Sequence, residues 1–486
     1  MDYGFWSLLP PLAAIVLAIR TKQVYLSLVT GIWLGWMIIH HWNPLSGTLA
    51  TIQALVDVFK DPGNTRTIMF SALVGALIIF IQKSGGVQGF VHLLERIMKR
   101  YERGNNRRVV QLISALTGIV VFVESSISSL TVGALFRPVF DKLRISREKL
   151  AFIADSTSAP ICILIPFNAW GAFVMSLLLT QGFDKPFHVM MSSMAYNFYP
   201  MLALAMVFFV IFTGRDFGPM RKSEQRTLEG TLTWPNARPM ISDEITAVAP
   251  VPGIVFRTRN MIIPIAVMVL MMPVMLIYTG WPEEGVHRSF FSTAFHAIGQ
   301  GSGSTSVLVS VITAILVSMI LYRVQGLFKI REMVDLTMKG ISGMMPLALL
   351  MLMAFAITAV CNALGTGRYA AEITRGWLSP GLVPLIVFLT SSFISFSTGT
   401  SWGTFGIMIA IAVPMAQSMG AEVLLVIAAV LGGGVFGDHC SPISDTTIIS
   451  SMASACDHID HVRTQLPYAL AAGGIAALGY LIMGLA

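Results

Sequence analysis

Charge is scarce in this chain. Of its 486 residues only 12% are Asp, Glu, Lys or Arg, while 55% are hydrophobic. A soluble protein of this size carries about a quarter charged residues. The deficit, with a mean hydropathy of +0.74, excludes an ordinary water-soluble domain and puts most of the chain in a solvent that rejects charge. Cysteine is scarce too. Cys162, Cys361, Cys440 and Cys456 are scattered, three of them in apolar stretches, which excludes a disulfide framework or a zinc knuckle. The N-terminus has neither a basic leader nor a small-residue cleavage site, so no removable signal peptide is expected. The net charge of +7 matters less than its placement, and no nucleic-acid partner is implied.

What is present is a series of apolar stretches. A bilayer core of about 30 Å needs about 20 apolar residues per helix. Uncharged stretches near that length occupy 5–19, 24–41, 67–82, 196–213, 261–280, 304–322, 343–363 and 468–485, with two longer, interrupted ones at 150–181 and 423–455. Segments 109–140 and 381–416 behave differently: each consists of two short apolar arms around a polar tip, Glu124-Ser125-Ser126 or Ser397-Thr398-Gly399-Thr400-Ser401. These read as re-entrant helical hairpins. The expected fold is an all-α polytopic membrane protein with about ten transmembrane helices and two such hairpins. Membrane lipid is then a constant partner.

Basic residues orient the spans, because cytoplasmic loops are enriched in them. With both termini on the non-cytoplasmic side of the cell (inner) membrane, the loops at 20–23, 83–108, 137–149, 214–260, 323–340 and 456–467 are cytoplasmic. They hold 26 of the 32 Lys and Arg.

The two halves are related. Residues 76–80 lead to the glycine-rich 85–89, and 354–358 lead to 365–367. Each is followed by an amphipathic stretch, a hairpin, Pro138 or Pro414, and an interrupted span. The charge count makes 67–82 run inward and 343–363 outward, so the two repeats are expected to be inverted, with broken helices. Such repeats place a substrate site near the bilayer midplane at their interface. The expected organisation is 1–65 (N-terminal scaffold helices), 66–213 (first repeat, hairpin 109–140, broken helix 150–181), 214–342 (cytoplasmic linker and central scaffold helices) and 343–486 (second repeat, hairpin 381–416, broken helix 423–455). The polar stretch 214–260 reads as a linker without chemistry.

Four of the 25 acidic residues fall inside the expected membrane segments: Glu124, Asp155, Asp438 and Asp445. No lysine or arginine does. A carboxylate at mid-bilayer costs roughly 2.5–3.5 kcal/mol on insertion scales, so these charges call for mobile partners, protons or metal cations. The breaks suggest how. In Gly432-Gly433-Gly434 through Asp445, the first half-helix is expected to end in the glycine run, with Ser441 capping the second and Pro442 in its first turn. Freed carbonyls and acidic and hydroxyl oxygens suit a hard cation. The candidate binding set is Glu124, Ser125, Ser126, Asp155, Ser156, Thr157, Ser158, Asn168, Ser397, Thr398, Thr400, Ser401, Asp438, His439, Ser441, Ser444, Asp445 and Thr446, with Asp155, Asp438 and Asp445 as sodium ligands. Serine and threonine in membrane helices commonly bond back to their own backbone, which is the plainer reading of any single one. Cys456, Asp457, His458, Asp460 and His461 resemble metal ligands in composition but read as a solvated loop.

Gly437-Asp438-His439-Cys440-Ser441-Pro442-Ile443-Ser444-Asp445-Thr446-Thr447 resembles the signature around the second broken helix of the NhaC-type sodium/proton antiporter family, within the ion transporter superfamily. Ser397 to Thr404 resembles the hairpin preceding it there. The resemblance implies a homodimer with a static scaffold and a moving unit that carries the site across the membrane. It also implies exchange of sodium ions for protons, with no resident cofactor and no enzymatic activity. The alternative is a sodium- or proton-coupled exchanger of small organic acids or amino acids on the same fold. An intramembrane aspartyl protease would need glycine in place of Val435, and a channel would not need paired inverted hairpins.

Overall fold

The computed structural model describes residues 3–21, 23–101, 107–122, 125–235, 237–239, 254–282, 293–294, 297–298, 300–374 and 378–486. Among them every regular element is helical. In the first half these are α1 (Leu9–Thr21), α2 (Val24–Ile39), α3 (Pro44–Asp57), α4 (Pro62–Lys83), α5 (Gly86–Tyr101), α6 (Arg107–Val120), α7 (Ser125–Lys142), α8 (Arg147–Ser156), α9 (Ala159–Leu164), α10 (Ala169–Thr180), α11 (Pro186–Met194), α12 (Phe198–Thr213) and α13 (Gly218–Leu228). The second half holds α14 (Arg259–Gly280), α15 (Gly303–Val324), α16 (Ile330–Leu364), α17 (Thr366–Thr374), α18 (Val383–Thr398), α19 (Ser401–Met419), α20 (Val423–Cys440), α21 (Asp445–Ala453) and α22 (His458–Leu485).

Among the described residues, ten stretches are long and apolar enough to cross a membrane, so the chain is an all-α, multi-pass membrane protein. Eight match the expected spans. The other two are Pro380–Thr398 and Ser401–Met419, the arms of the second polar-tipped segment, which are longer than expected. The N-terminal stretches 5–19 and 24–41 form the shorter α1 and α2.

Local chemistry sets the helix ends. Asn43 accepts from the Leu45 and Ser46 amides to cap α3, and Asp61 caps α4 with Pro62 in the first turn, where a missing N–H costs nothing. At the ends of α4 and α16 the chain turns through Gly85 and Gly365, both at φ 68°. This left-handed conformation favours glycine. A strongly amphipathic helix follows each turn, α5 or α17.

The long helices α4 and α16 cross with their backbones nearly touching. A Cβ built on Gly75 would lie 2.7 Å from Met344 Cγ and 2.8 Å from the Gly340 carbonyl carbon. Helices α10 and α19 pack against this pair, with Trp170 of α10 on Trp402 and Phe405 of α19.

One expectation is corrected here. The run Gly432-Gly433-Gly434 does not end a helix, because α20 continues through it to Cys440. These glycines are approach surfaces: a Cβ on Gly433 would lie 2.8 Å from Ser391 Cβ, and one on Gly437 2.6 Å from the Phe396 amide nitrogen. Tight packing on α18 overrides glycine's weak helix preference. The stretch after 213 carries a helix of its own. Its helix α13 is fastened to the start of α8 by buried ion pairs. Lys149 Nζ lies 2.6 Å from Asp216 and 3.2 Å from Glu224, and Arg226 grips Glu148 with two bonds of 2.7 and 2.9 Å. Arg107 reaches Glu224 at 2.7 Å, and Glu224 also accepts from the Ser146 amide and hydroxyl.

Candidate functional site

The first interruption falls where α8 stops at Ser156, with α9 resuming at Ala159. Pro160 sits in the first turn of α9, where it cannot serve a preceding helix. Gly118 of α6 packs against this break, its built Cβ 2.7 Å from Thr157 Cβ. The second interruption is 441–444, between α20 and α21. Here the capping residue is Ser444, whose hydroxyl accepts from the Thr447 amide, and not Ser441 as expected. The Ser441 hydroxyl instead donates to the Phe396 carbonyl at 2.7 Å. The tip residue Gly399, at φ 69°, leans on Ile443, where a Cβ would come within 2.6 Å of the carbonyl oxygen. Each polar-tipped helix pair therefore abuts the break that follows it in sequence.

Between the breaks lies one buried polar cluster. Asp155, in the last turn of α8, is 0% exposed. Its Oδ2 accepts from Gln465 Nε2 at 2.6 Å and from Thr447 Oγ1 at 3.2 Å. His461 Nε2 and His439 Nε2 lie 3.5 and 3.8 Å from the same oxygen. His439 in turn meets the Ser156 hydroxyl at 3.1 Å through Nε2 and the Tyr199 hydroxyl at 2.6 Å through Nδ1. Its carbonyl accepts from Gln465 Nε2 at 2.7 Å. Next to His439, Asp438 accepts from the Ser401 hydroxyl at 2.6 Å, and Ser395 donates to the Gly434 carbonyl one turn back. Helices α8, α12, α19, α20, α21 and α22 thus converge on two carboxylates. Among the described residues, the ionisable partners of Asp155 are imidazoles, not lysine or arginine.

The candidate residues divide. Asp155, Ser156, His439, Asp438 and Ser401 belong to this cluster or its edge. Ser444 and Thr446 are bonded to each other at the start of α21. Ser125 is buried at the start of α7, and Ser397 and Thr400 are half-buried at the tip. Thr157, Ser158 and Thr398 donate back to Ile153, Asp155 and Ile394 carbonyls, as the plainer reading held. Asn168 caps α10 and straps the Phe122, Cys162 and Ile165 carbonyls, a structural role. Glu124 lies outside the described residues, as do the side chains of Ser126 and Asp445.

Four members lie outside the set expected from sequence: Tyr199, Thr447, His461 and Gln465. The expected solvated loop would leave His461 in water. The structure corrects this, since His461 is 0% exposed on α22. His458, in the same expected loop, opens that helix and contacts the Pro442 carbonyl at 2.6 Å through Nε2. The missed signal is helical spacing: His461, Gln465, Tyr468, Ala472, Ala476 and Tyr480 form one buried stripe at intervals of three and four.

Comparison with known proteins agrees with this architecture. A model of the Na+/H+ antiporter family matches residues 178–485. An uncharacterised protein of Haemophilus influenzae is 34% identical over 492 residues, covering 99% of this chain and 91% of that protein. The malate-2H+/Na+-lactate antiporter of Bacillus subtilis is 32% identical over 124 residues, covering 22% of this chain and 26% of that one. Among solved structures, the YdaH transporter of Alcanivorax borkumensis superposes with a TM-score of 0.56 at 15% identity, covering 90% of this chain and 88% of that one. At that identity the likeness concerns the fold alone.

Proposed function

The chain belongs to the Na+/H+ antiporter family, and from that premise we propose that it exchanges sodium ions for protons at the cluster between the two breaks. The observation that carries the reading is the fully buried Asp155, tied to both broken helices and faced by neutral or switchable groups. A fixed lysine would neutralise such a carboxylate permanently. Histidines and hydroxyls leave its charge to be balanced by a travelling cation or proton. Asp438, held by Ser401, is the second cation-binding carboxylate, and Asp445 and Glu124 are further members of the set. The hydroxyl and carbonyl oxygens of 156–158, 397–401 and 441–446 supply the remaining ligands.

Transport proceeds by alternating access of the elevator type. The scaffold comprises 1–65 and 214–342, and the repeats 66–213 and 343–486 carry the polar-tipped pairs as re-entrant hairpins. The matching order of elements supports this: a long helix, a left-handed glycine, an amphipathic helix, a hairpin and a broken helix occur in both halves. The assembly is a homodimer of such units.

The test is sodium-driven proton movement in vesicles reconstituted with the full chain. Asp155→Asn and the double variant Asp438→Asn, Asp445→Asn should each abolish it. Retained exchange in both would overturn the reading. A second reading, exchange of small organic acids with coupled ions, is favoured by the similarity to a malate/lactate antiporter. Sodium-dependent uptake of labelled dicarboxylates with no sodium/proton exchange would select it.

A further inference from the structure

Resting on that reading, we propose that Gln465, carried by the last helix, is itself a cation ligand, its side-chain oxygen completing the site begun by Asp155. Gln465 is 1% exposed. Its amide nitrogen is fully engaged, donating to Asp155 Oδ2 at 2.6 Å and to the His439 carbonyl at 2.7 Å. That fixes the amide plane and leaves Oε1 no freedom to turn toward another donor.

The buried oxygens left without a hydrogen-bond partner in this cluster include Gln465 Oε1 and Asp155 Oδ1. They belong to the two side chains that are bonded to one another through their other atoms. An unpaired buried acceptor is costly, and more so for a charged group. Two acceptors in one bonded pair cannot satisfy each other, because neither carries a hydrogen. A cation coordinated by both oxygens satisfies the pair at once. A carboxylate with an amide carbonyl is the donor chemistry hard cations take.

The arrangement also gives Gln465 a part no acid could play. As an uncharged ligand it adds an oxygen without adding a charge to be neutralised when the cation leaves. Its hydrogen bonds to α8 and α20 keep that oxygen in place in either state. Gln465 is therefore both a ligand and the clamp between the two broken helices, and a test must separate these roles.

The experiment uses the full chain in proteoliposomes with an internal pH dye, challenged with sodium chloride, lithium chloride or choline chloride. Gln465→Leu should raise the half-saturating sodium concentration at least tenfold and change the ratio of sodium to lithium half-saturation. Gln465→Glu, which keeps an oxygen at that position, should retain saturable sodium dependence with an altered sodium/lithium ratio. Sodium-induced thermal stabilisation of the detergent-purified protein reads binding without transport, and Gln465→Leu should need at least tenfold more sodium for the same shift. A purely structural role would lower the maximal rate while leaving half-saturation and the ion ratio unchanged. That result, or unchanged thermal titration, overturns the assignment alone. A wild-type protein indifferent to both cations overturns the antiport reading and this assignment with it.

Discussion

Removing Lys149 should destabilise the protein sharply, although it lies far along α8 from Asp155. Its side chain is 4% exposed, and its two carboxylate partners are each 9% exposed. Lys149→Met keeps the length and apolar stem but leaves Asp216 and Glu224 side by side and short of a cation. Breaking a buried pair by removing one partner costs about 3–5 kcal/mol. Arg107 still reaches Glu224 at 2.7 Å, so the lower end of that range is expected. The assay is unfolding of detergent-purified protein followed by tryptophan fluorescence. The triple variant Lys149→Met, Asp216→Asn, Glu224→Gln removes the stranded carboxylates, leaves Arg107, whose side chain is 28% exposed, to water, and should recover most of the loss, since members of one network do not add. Two results would refute the reasoning. One is Lys149→Met within about 0.5 kcal/mol of wild type, the scale of an ordinary surface change. The other is a triple variant as unstable as the single.

Other outcomes follow from the packing and the site. Gly437→Ala should cost about 1–3 kcal/mol, the usual effect of overpacking, because the new methyl meets α18. Gly474→Ala, whose Cβ meets nothing within 4 Å, should gain up to about 1 kcal/mol in the same unfolding assay, since alanine is the better helix former. Ser401→Ala removes a hydrogen bond to the Asp438 carboxylate, a contact worth about 1.5–3 kcal/mol, and should raise half-saturating sodium roughly tenfold or more in vesicle assays. Cys456 is buried beside Glu148, Asp460 and Asp457, and burial first, then these charges, pushes its thiol well above the usual value. The reactive thiolate should therefore stay scarce up to pH 9, and maleimide labelling of Cys456 should be absent in the native protein and appear on unfolding.

The parts of this molecule legible in its sequence are those where one residue type violates its surroundings. Asp155 and Asp438 stand out because their neighbours are apolar, and the spans stand out by length. His461 and Gln465 do not, because α22 begins outside the apolar run, where Asp457, His458, Asp460 and Arg463 mask the buried face behind the exposed one. Only the three-and-four spacing separates them. The extent of α20 was hidden for another reason. Glycine reports a need for space but not whether a turn or a neighbouring helix uses it, and here Ser391, Phe396 and Phe405 take it up. Ser441 and Ser444 are equally good caps by composition. The structure gives the cap to Ser444, while the Ser441 hydroxyl donates to the Phe396 carbonyl and accepts from the Ile443 amide. The ion pairs on α13 join residues more than 65 positions apart, and no local pattern reveals such partners.

His439 enters the cluster twice, once by its ring and once by its main-chain oxygen, which Gln465 holds. The second attachment belongs to the peptide and would survive any replacement of the imidazole. Position 439 can therefore change its side chain while α20 and α22 stay tied together at that point.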